Sequence, residues 1–175
     1  MSGRRSSFIE FSGVNLERLS ILAKELHRRL PPRVVVGLRG TLGAGKTRLA
    51  QAIAQAAGVD VSDVTSPTFT IVQHYHADRL IHHIDAYRLA DEDEFFELGG
   101  EELLDDDAMI LIEWPERIAR SLPPGCLNVE IDIEDAGPIG VAGPASESTR
   151  RIRFSSDDEG LMVIVREISA MLSEA

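Results

Sequence analysis

An α/β sandwich with a mixed, largely parallel sheet is the fold this sequence predicts, and three observations carry the prediction. Apolar runs of strand length alternate with stretches of helical periodicity. The first strand-to-helix turn is the glycine-rich string Gly40-Thr41-Leu42-Gly43-Ala44-Gly45-Lys46-Thr47. The last two strand candidates are joined by a segment with no helical pattern, which makes them antiparallel edge strands.

Leu16, Leu19, Leu22, Ala23, Leu26 and Leu30 recur at helical spacing and stop at Pro31-Pro32, giving a first helix. The apolar run 34–38 is the strand that feeds the glycine-rich turn, and residues 48–57 form the helix behind it, closed by Gly58. Phe69-Thr70-Ile71-Val72 and residues 80–84 are two short strand candidates separated by residues 74–79. Asp91, with Glu94 three residues on, starts a short helix carrying Phe95, Phe96 and Leu98. Residues 109–112 are uniformly apolar, as a strand buried on both faces must be. Pro115 fits the first turn of a helix through Ile118, which Pro123-Pro124-Gly125 ends. Residues 127–133 alternate as a half-buried strand, and Ile152 with Phe154 marks its neighbour. Between them, residues 135–149 are rich in Gly, Pro, Ala and Ser and read as a flexible loop. Leu161, Ile164, Val165, Ile168 and Leu172 form the apolar stripe of a last helix. A length of 175 residues suits one domain over 1–175.

The net charge of -11 and pI near 4.9 exclude a broad, non-specific grip on a nucleic-acid backbone, which needs many cations on one face. A mean hydropathy of -0.05 with no apolar run of membrane-spanning length points to a soluble chain with no membrane contact. Arg4 and Arg5 are followed by no apolar core, so a cytoplasmic location is expected rather than secretion. The one cysteine, Cys126, allows neither an internal disulfide nor a cysteine-based zinc site. His74 and His76 would face the same way on an extended segment, and His82-His83 are adjacent. Their neighbourhood has no cysteine or helical His-Glu spacing, so no zinc is expected.

The glycine-rich turn has the spacing G-x-x-x-x-G-K-[ST] in strand-loop-helix context, the signature of a triphosphate cradle in a P-loop NTPase three-layer sandwich. Backbone N–H groups of Gly43, Ala44 and Gly45 point at an anion, Lys46 adds a full positive charge, and Thr47 offers a hydroxyl to an octahedral Mg²⁺. Such a loop binds; hydrolysis also needs acids that place the metal and orient water. Asp85 and Glu113 each end an apolar strand, where ligands of open α/β sheets gather, and Glu113 is the stronger candidate for a second metal ligand. Thr68, stiffened by Pro67, follows the loop helix where a switch segment would sense the γ-phosphate. No Asn-Lys-x-Asp string of the kind associated with guanine selectivity occurs, so ATP is favoured over GTP.

The strings G-T-L-G-A-G-K-T at 40 to 47, S-P-T-F-T-I-V at 66 to 72, H-I-D-A-Y-R-L at 83 to 89 and L-I-E-W-P-E at 111 to 116 closely resemble the TsaE (YjeE) family in order and spacing. That resemblance implies a weakly active ATPase that works with two partners, TsaB and TsaD, in threonylcarbamoyladenosine modification of tRNA, meeting tRNA only through that complex. It implies that residues 43–47 hold the phosphates, that Thr47 and Glu113 hold Mg²⁺, that Asp85 supports metal or water, and that Thr68 belongs to the switch. It also implies adenine contacts from the N-terminal region and from an arginine near the C-terminal strands, for which Arg150 and Arg151 both qualify; Arg151 enters the candidate set. The chain departs from the family pattern at Thr41 and Arg48. The same loop would also serve a small-molecule or nucleotide kinase, with Arg117 and Arg120 imitating lid cations, or a non-catalytic ATP switch.

Overall fold

The computed structural model describes residues 8–60, 63–64, 67, 70–134 and 148–173. Seven strands build one sheet: β1 (Ile9–Val14), β2 (Val34–Arg39), β3 (Val72–His76), β4 (Leu80–Asp85), β5 (Met109–Glu113), β6 (Leu127–Ile133) and β7 (Arg150–Ser155). Their order across the sheet is β1-β7-β6-β2-β5-β4-β3. The central strands β6, β2, β5 and β4 run parallel, while β7 and β1 continue the sheet antiparallel on one side and β3 on the other. β5 is buried along its whole length and β2 up to its last residue, which is why their sequences are apolar without alternation.

Five helices flank the sheet: α1 (Leu16–Arg29), α2 (Lys46–Ala56), α3 (Glu92–Glu97), α4 (Gly100–Asp105) and α5 (Glu159–Ser173). Successive side chains of a strand point to opposite faces, and the core divides accordingly. Val34, Val36, Leu38, Met109 and Leu111 pack with the apolar stripes of α1, α2 and α5. Val35, Ile110 and Ile112 pack on the other face with Phe95 of α3, Leu104 of α4 and Ile118. The starts of α1 and α3 are closed as their sequences direct. Asn15 caps α1 by accepting from Arg18 N at 2.9 Å, and His27, Arg28 and Arg29 complement the dipole in its last turn. Asp91 Oδ1 accepts from Glu94 N at 3.1 Å at the start of α3, and Glu94 reaches back to Ala90 N.

Two strands differ from expectation, and helix α4 has no counterpart in the sequence reading. β1 lies outside β7, antiparallel to it, and its alternation is interrupted at Gly13 (φ +64), where the pairing shifts register between Phe11 and Val14. β3 starts at Val72 rather than Phe69, because Ile71 adopts a left-handed φ of 65° and its N–H closes a turn onto Pro67 O at 2.6 Å. His74 and His76 are therefore strand residues and not part of a connection. The predicted loop 135–149 lies, apart from Ser148 and Thr149, outside the described residues. No helix among the described residues is long and apolar enough to cross a membrane.

Candidate functional site

The loop 40–47 leaves the carboxyl end of β2 and runs directly into α2. Its course depends on positions where a side chain cannot be carried. Gly40 has φ +141 and a Cβ there would collide with the Ile131 carbonyl of β6, while Gly45, at φ +116, opens α2 from a left-handed conformation. A Cβ on Gly45 would meet only Arg150 Nε, at 3.9 Å, so the space above the loop is open.

Lys46 is the first residue of α2 and is 4% exposed. Its ammonium donates to Gly40 O at 2.8 Å and Thr41 O at 2.9 Å and lies 3.8 Å from the centre of the Trp114 ring. Burial pulls its pKa below the ordinary value, and the charges of Glu113, Glu116 and Asp85 oppose that pull without cancelling it. Lys46 is thus a partly desolvated cation among three carboxylates. Trp114 reaches this position because its backbone is left-handed, φ 58°, a conformation that costs a bulky residue of order 1–3 kcal/mol and turns the chain sharply at the end of β5.

Asp85 and Glu113 are register partners at the ends of the neighbouring parallel strands β4 and β5. Both are buried. Thr47 Oγ1 donates to Glu113 Oε2 at 2.9 Å, and the other carboxylate oxygen lies 2.9 Å from His83 Nε2. Asp85 accepts from Tyr87 N at 3.1 Å, and its own N–H donates to Ile71 O at 2.8 Å. Tyr75 sits behind His83, with its phenol pushed up to about 12 by burial and then by the Glu113 charge.

Two cavities of similar size flank the loop. One, of about 370 Å³, is lined by Lys46, Thr47, Asp85, Glu113 and Trp114. The other, of about 380 Å³, has walls from Val14, Leu16 and Leu19 on one side and Ile131 and Ile152 on the other. Gly43, Gly45 and Arg48 border both. A larger cavity of about 530 Å³, around Arg33, Leu104 and Pro124, lies by the amino ends of β2 and β6, away from the loop.

The structure thus brings together Gly43, Ala44, Gly45, Lys46, Thr47, Asp85 and Glu113. Thr68 lies outside the described residues. Arg151, the arginine in the candidate set, turns away from the loop and pairs with Glu10 at 3.7 Å and Glu134 at 3.4 Å. Arg150, its neighbour on the opposite face of β7, donates from Nε to Ala44 O at 2.7 Å and borders the apolar cavity. Sequence reasoning gave no role to His83, although it shares a strand face with Asp85 two residues on.

Fit to a metal and a polyphosphate is testable on these distances. Adjacent ligands of an octahedral Mg²⁺ with bonds of about 2.0–2.1 Å stand about 2.9 Å apart. Thr47 Oγ1 and Glu113 Oε2 have that spacing. The buried Lys46 ammonium and the open space at Gly45 fit an anion placed over the loop.

A glycine-rich loop between a central parallel strand and its helix, with acids ending β5 and β4 beside it, defines a P-loop NTPase fold. The crystal structure of YdiB from Bacillus subtilis superimposes with a TM-score of 0.69 at 25% identity, over 97% of this chain and 99% of that one. The family model described as "Threonylcarbamoyl adenosine biosynthesis protein TsaE" matches residues 14–138, and the chain belongs to the TsaE family. It is 36% identical over 162 residues to the tRNA threonylcarbamoyladenosine biosynthesis protein TsaE of Bacillus subtilis, covering 92% of this chain and 94% of the relative. The protein of the same description from Treponema pallidum is 37% identical over 61% of this chain and 78% of its own length.

Proposed function

We propose that this chain is a Mg²⁺-dependent ATPase that supports threonylcarbamoyladenosine modification of tRNA in the cytoplasm, as part of a complex with TsaB and TsaD. The observation that carries the reading is the contact between Thr47 and Glu113, held at the spacing of two metal ligands beside a buried lysine. Triphosphate enters along the loop 43–47, where backbone N–H groups and Lys46 bind its oxygens. To do so Lys46 exchanges the carbonyls of Gly40 and Thr41 for phosphate. Mg²⁺ held by Thr47 and Glu113 would supply the charge that neutralises the β- and γ-oxygens. His83 holds Glu113 by its second oxygen, and Asp85 stands beside it to orient the attacking water. Adenosine extends into the apolar cavity between the start of α1 and β7, with Arg150 at its rim. Thr68 completes the switch that senses the γ-phosphate.

The partner assignment rests on family membership and on charge. A net charge of -11 offers a tRNA backbone little general attraction, whereas a docked protein can order the segment around Pro67. ATP turnover by the purified chain alone, with tRNA alone, and with the TsaB–TsaD pair tests this. Stimulation by the pair is expected. Stimulation by tRNA alone, with no response to the pair, would refute the partner-gated reading. A bound small acceptor beside the γ-phosphate would replace it with a kinase.

A further inference from the structure

The β3–β4 hairpin carries a side-chain arrangement that the phosphate site does not use. His74 and His82 are directly opposite in its antiparallel register. Their Nδ1 atoms stand 2.8 Å apart, with the rings edge to face and centroids 4.7 Å apart. His82 is 3% exposed, and its Nε2 lies 2.9 Å from Asp106 Oδ2 in the turn before β5. His74 is exposed. A carboxylate only accepts, so in the neutral ring Asp106 fixes the His82 proton on Nε2 and leaves the Nδ1 lone pair turned toward His74.

A carboxylate that orients one imidazole so that its other nitrogen is free is the outer partner found behind metal-ligating histidines. We propose that His74 Nδ1 and His82 Nδ1 form a two-nitrogen site for a divalent late transition-metal ion, Cu²⁺ in preference to Ni²⁺ and Zn²⁺, with Asp106 positioning His82.

Spacing decides the choice of ion. Two bonds of about 2.0–2.1 Å meeting at a right angle span about 2.9 Å, while a tetrahedral angle spreads the same nitrogens to about 3.4 Å. The 2.8 Å at which a hydrogen bond already holds the two nitrogens is close to the first, whereas the second needs the rings to move apart. Right-angled coordination by nitrogen and oxygen suits Cu²⁺ and Ni²⁺, and Cu²⁺ heads the affinity order. Binding needs no net loss of a proton from His74, because the hydrogen that bridges the rings moves to its Nε2. Water fills the remaining positions. Among the described residues no group of three or more His, Cys, Asp or Glu is placed to hold a metal, and His76, on the same face two residues along β3, is accordingly left out of the ligand set. The site stands independently of the nucleotide reading.

The test uses the full chain without a polyhistidine tag, titrated with Cu²⁺ alone and followed by calorimetry and electron paramagnetic resonance. Expected is a saturable site with a two-nitrogen signature. His74→Ala changes an exposed side chain, and its metal-free melting temperature checks that it folds; it should weaken binding at least about tenfold. Asp106→Asn should weaken it about 10–100-fold, and His76→Ala should leave it unchanged. Ni²⁺ should raise the melting temperature of the wild type but not of His74→Ala. Undiminished Cu²⁺ affinity in His74→Ala, loss of the site in His76→Ala, or no binding at about 1 mM Cu²⁺ would each overturn the assignment.

Discussion

The two cavities beside the glycine-rich loop are nearly equal in volume and differ in which side chains line them. On one side Lys46, Asp85 and Glu113 are buried and Thr47 is half-buried, with Thr47 hydrogen-bonded to Glu113. On the other, Val14, Leu16, Leu19, Ile131 and Ile152 form apolar walls with Arg150 at the edge. Buried charge does its work through electrostatics fixed before the ligand arrives, and so belongs with the chemical step. Apolar walls reward shape and area, and so belong with recognition. On the proposed reading one nucleotide spans both, and substitutions on the two sides should separate turnover from affinity.

The largest effect is expected at the hinge between the cavities. Lys46→Ala removes the positive charge buried at the loop and should lower ATP turnover by about 10²–10³-fold, with affinity falling too. Wild-type binding in that variant would break the comparison at its base. Next, Glu113→Ala should lower kcat by about 100-fold while the ATP Kd moves by no more than about threefold, since alignment of metal and water matters most in the transition state. Steady-state turnover set against calorimetric affinity reads that split.

The apolar side should answer the other way. Arg150→Ala should raise the ATP Kd about tenfold with little change in kcat, whereas Arg151→Ala, which breaks pairs with Glu10 and Glu134, should leave the Kd within about twofold of wild type. Equal losses in both would remove the distinction between the two faces of β7. Asn15→Ala, at the mouth of the same cavity, deletes the cap of α1 and should cost about 1 kcal/mol, or about 2–4 °C in Tm.

The smallest effect concerns the segment that carries Trp114. Glu92 accepts from Arg120 N, Ser121 N and the Arg120 guanidinium, tying α3 to the turn after β5. Burial alone would raise its pKa, but those hydrogen bonds and the Arg120 charge outweigh it and hold the carboxyl below its ordinary value of 4.5. Its folded pKa is therefore the lower one. The stabilisation is present above the unfolded value and disappears as pH falls through the folded one. The Tm advantage of wild type over Glu92→Gln should shrink steadily between neutral pH and pH 3, as thermal melts across that range would show.

The same contrast explains what could be read from the sequence. The phosphate side was legible because its loop is eight consecutive residues and its acids each stand directly at the end of a strand run, so local order alone placed them. The apolar side joins residues 14–19, 43–48 and 148–152. It exists only because β1 pairs with β7, a strand whose alternation is interrupted at Gly13. The choice between Arg150 and Arg151 turned on strand parity, and parity needs a register that no local pattern supplies. Ile71 hid the start of β3 in the same way: a β-branched residue reads as strand, yet here it takes a left-handed turn. With that start misplaced, the pairing of His74 with His82 could not be seen.

The claim that one nucleotide bridges both cavities is tested most directly by the affinities of the unmodified protein for ATP, inorganic tripolyphosphate and adenosine, measured with and without Mg²⁺. The account predicts ATP tighter than tripolyphosphate by at least about tenfold and tighter still than adenosine, with Mg²⁺ strengthening the two phosphates and leaving adenosine unmoved. Equal affinity for ATP and tripolyphosphate would mean that the apolar cavity holds no base, and would contradict it.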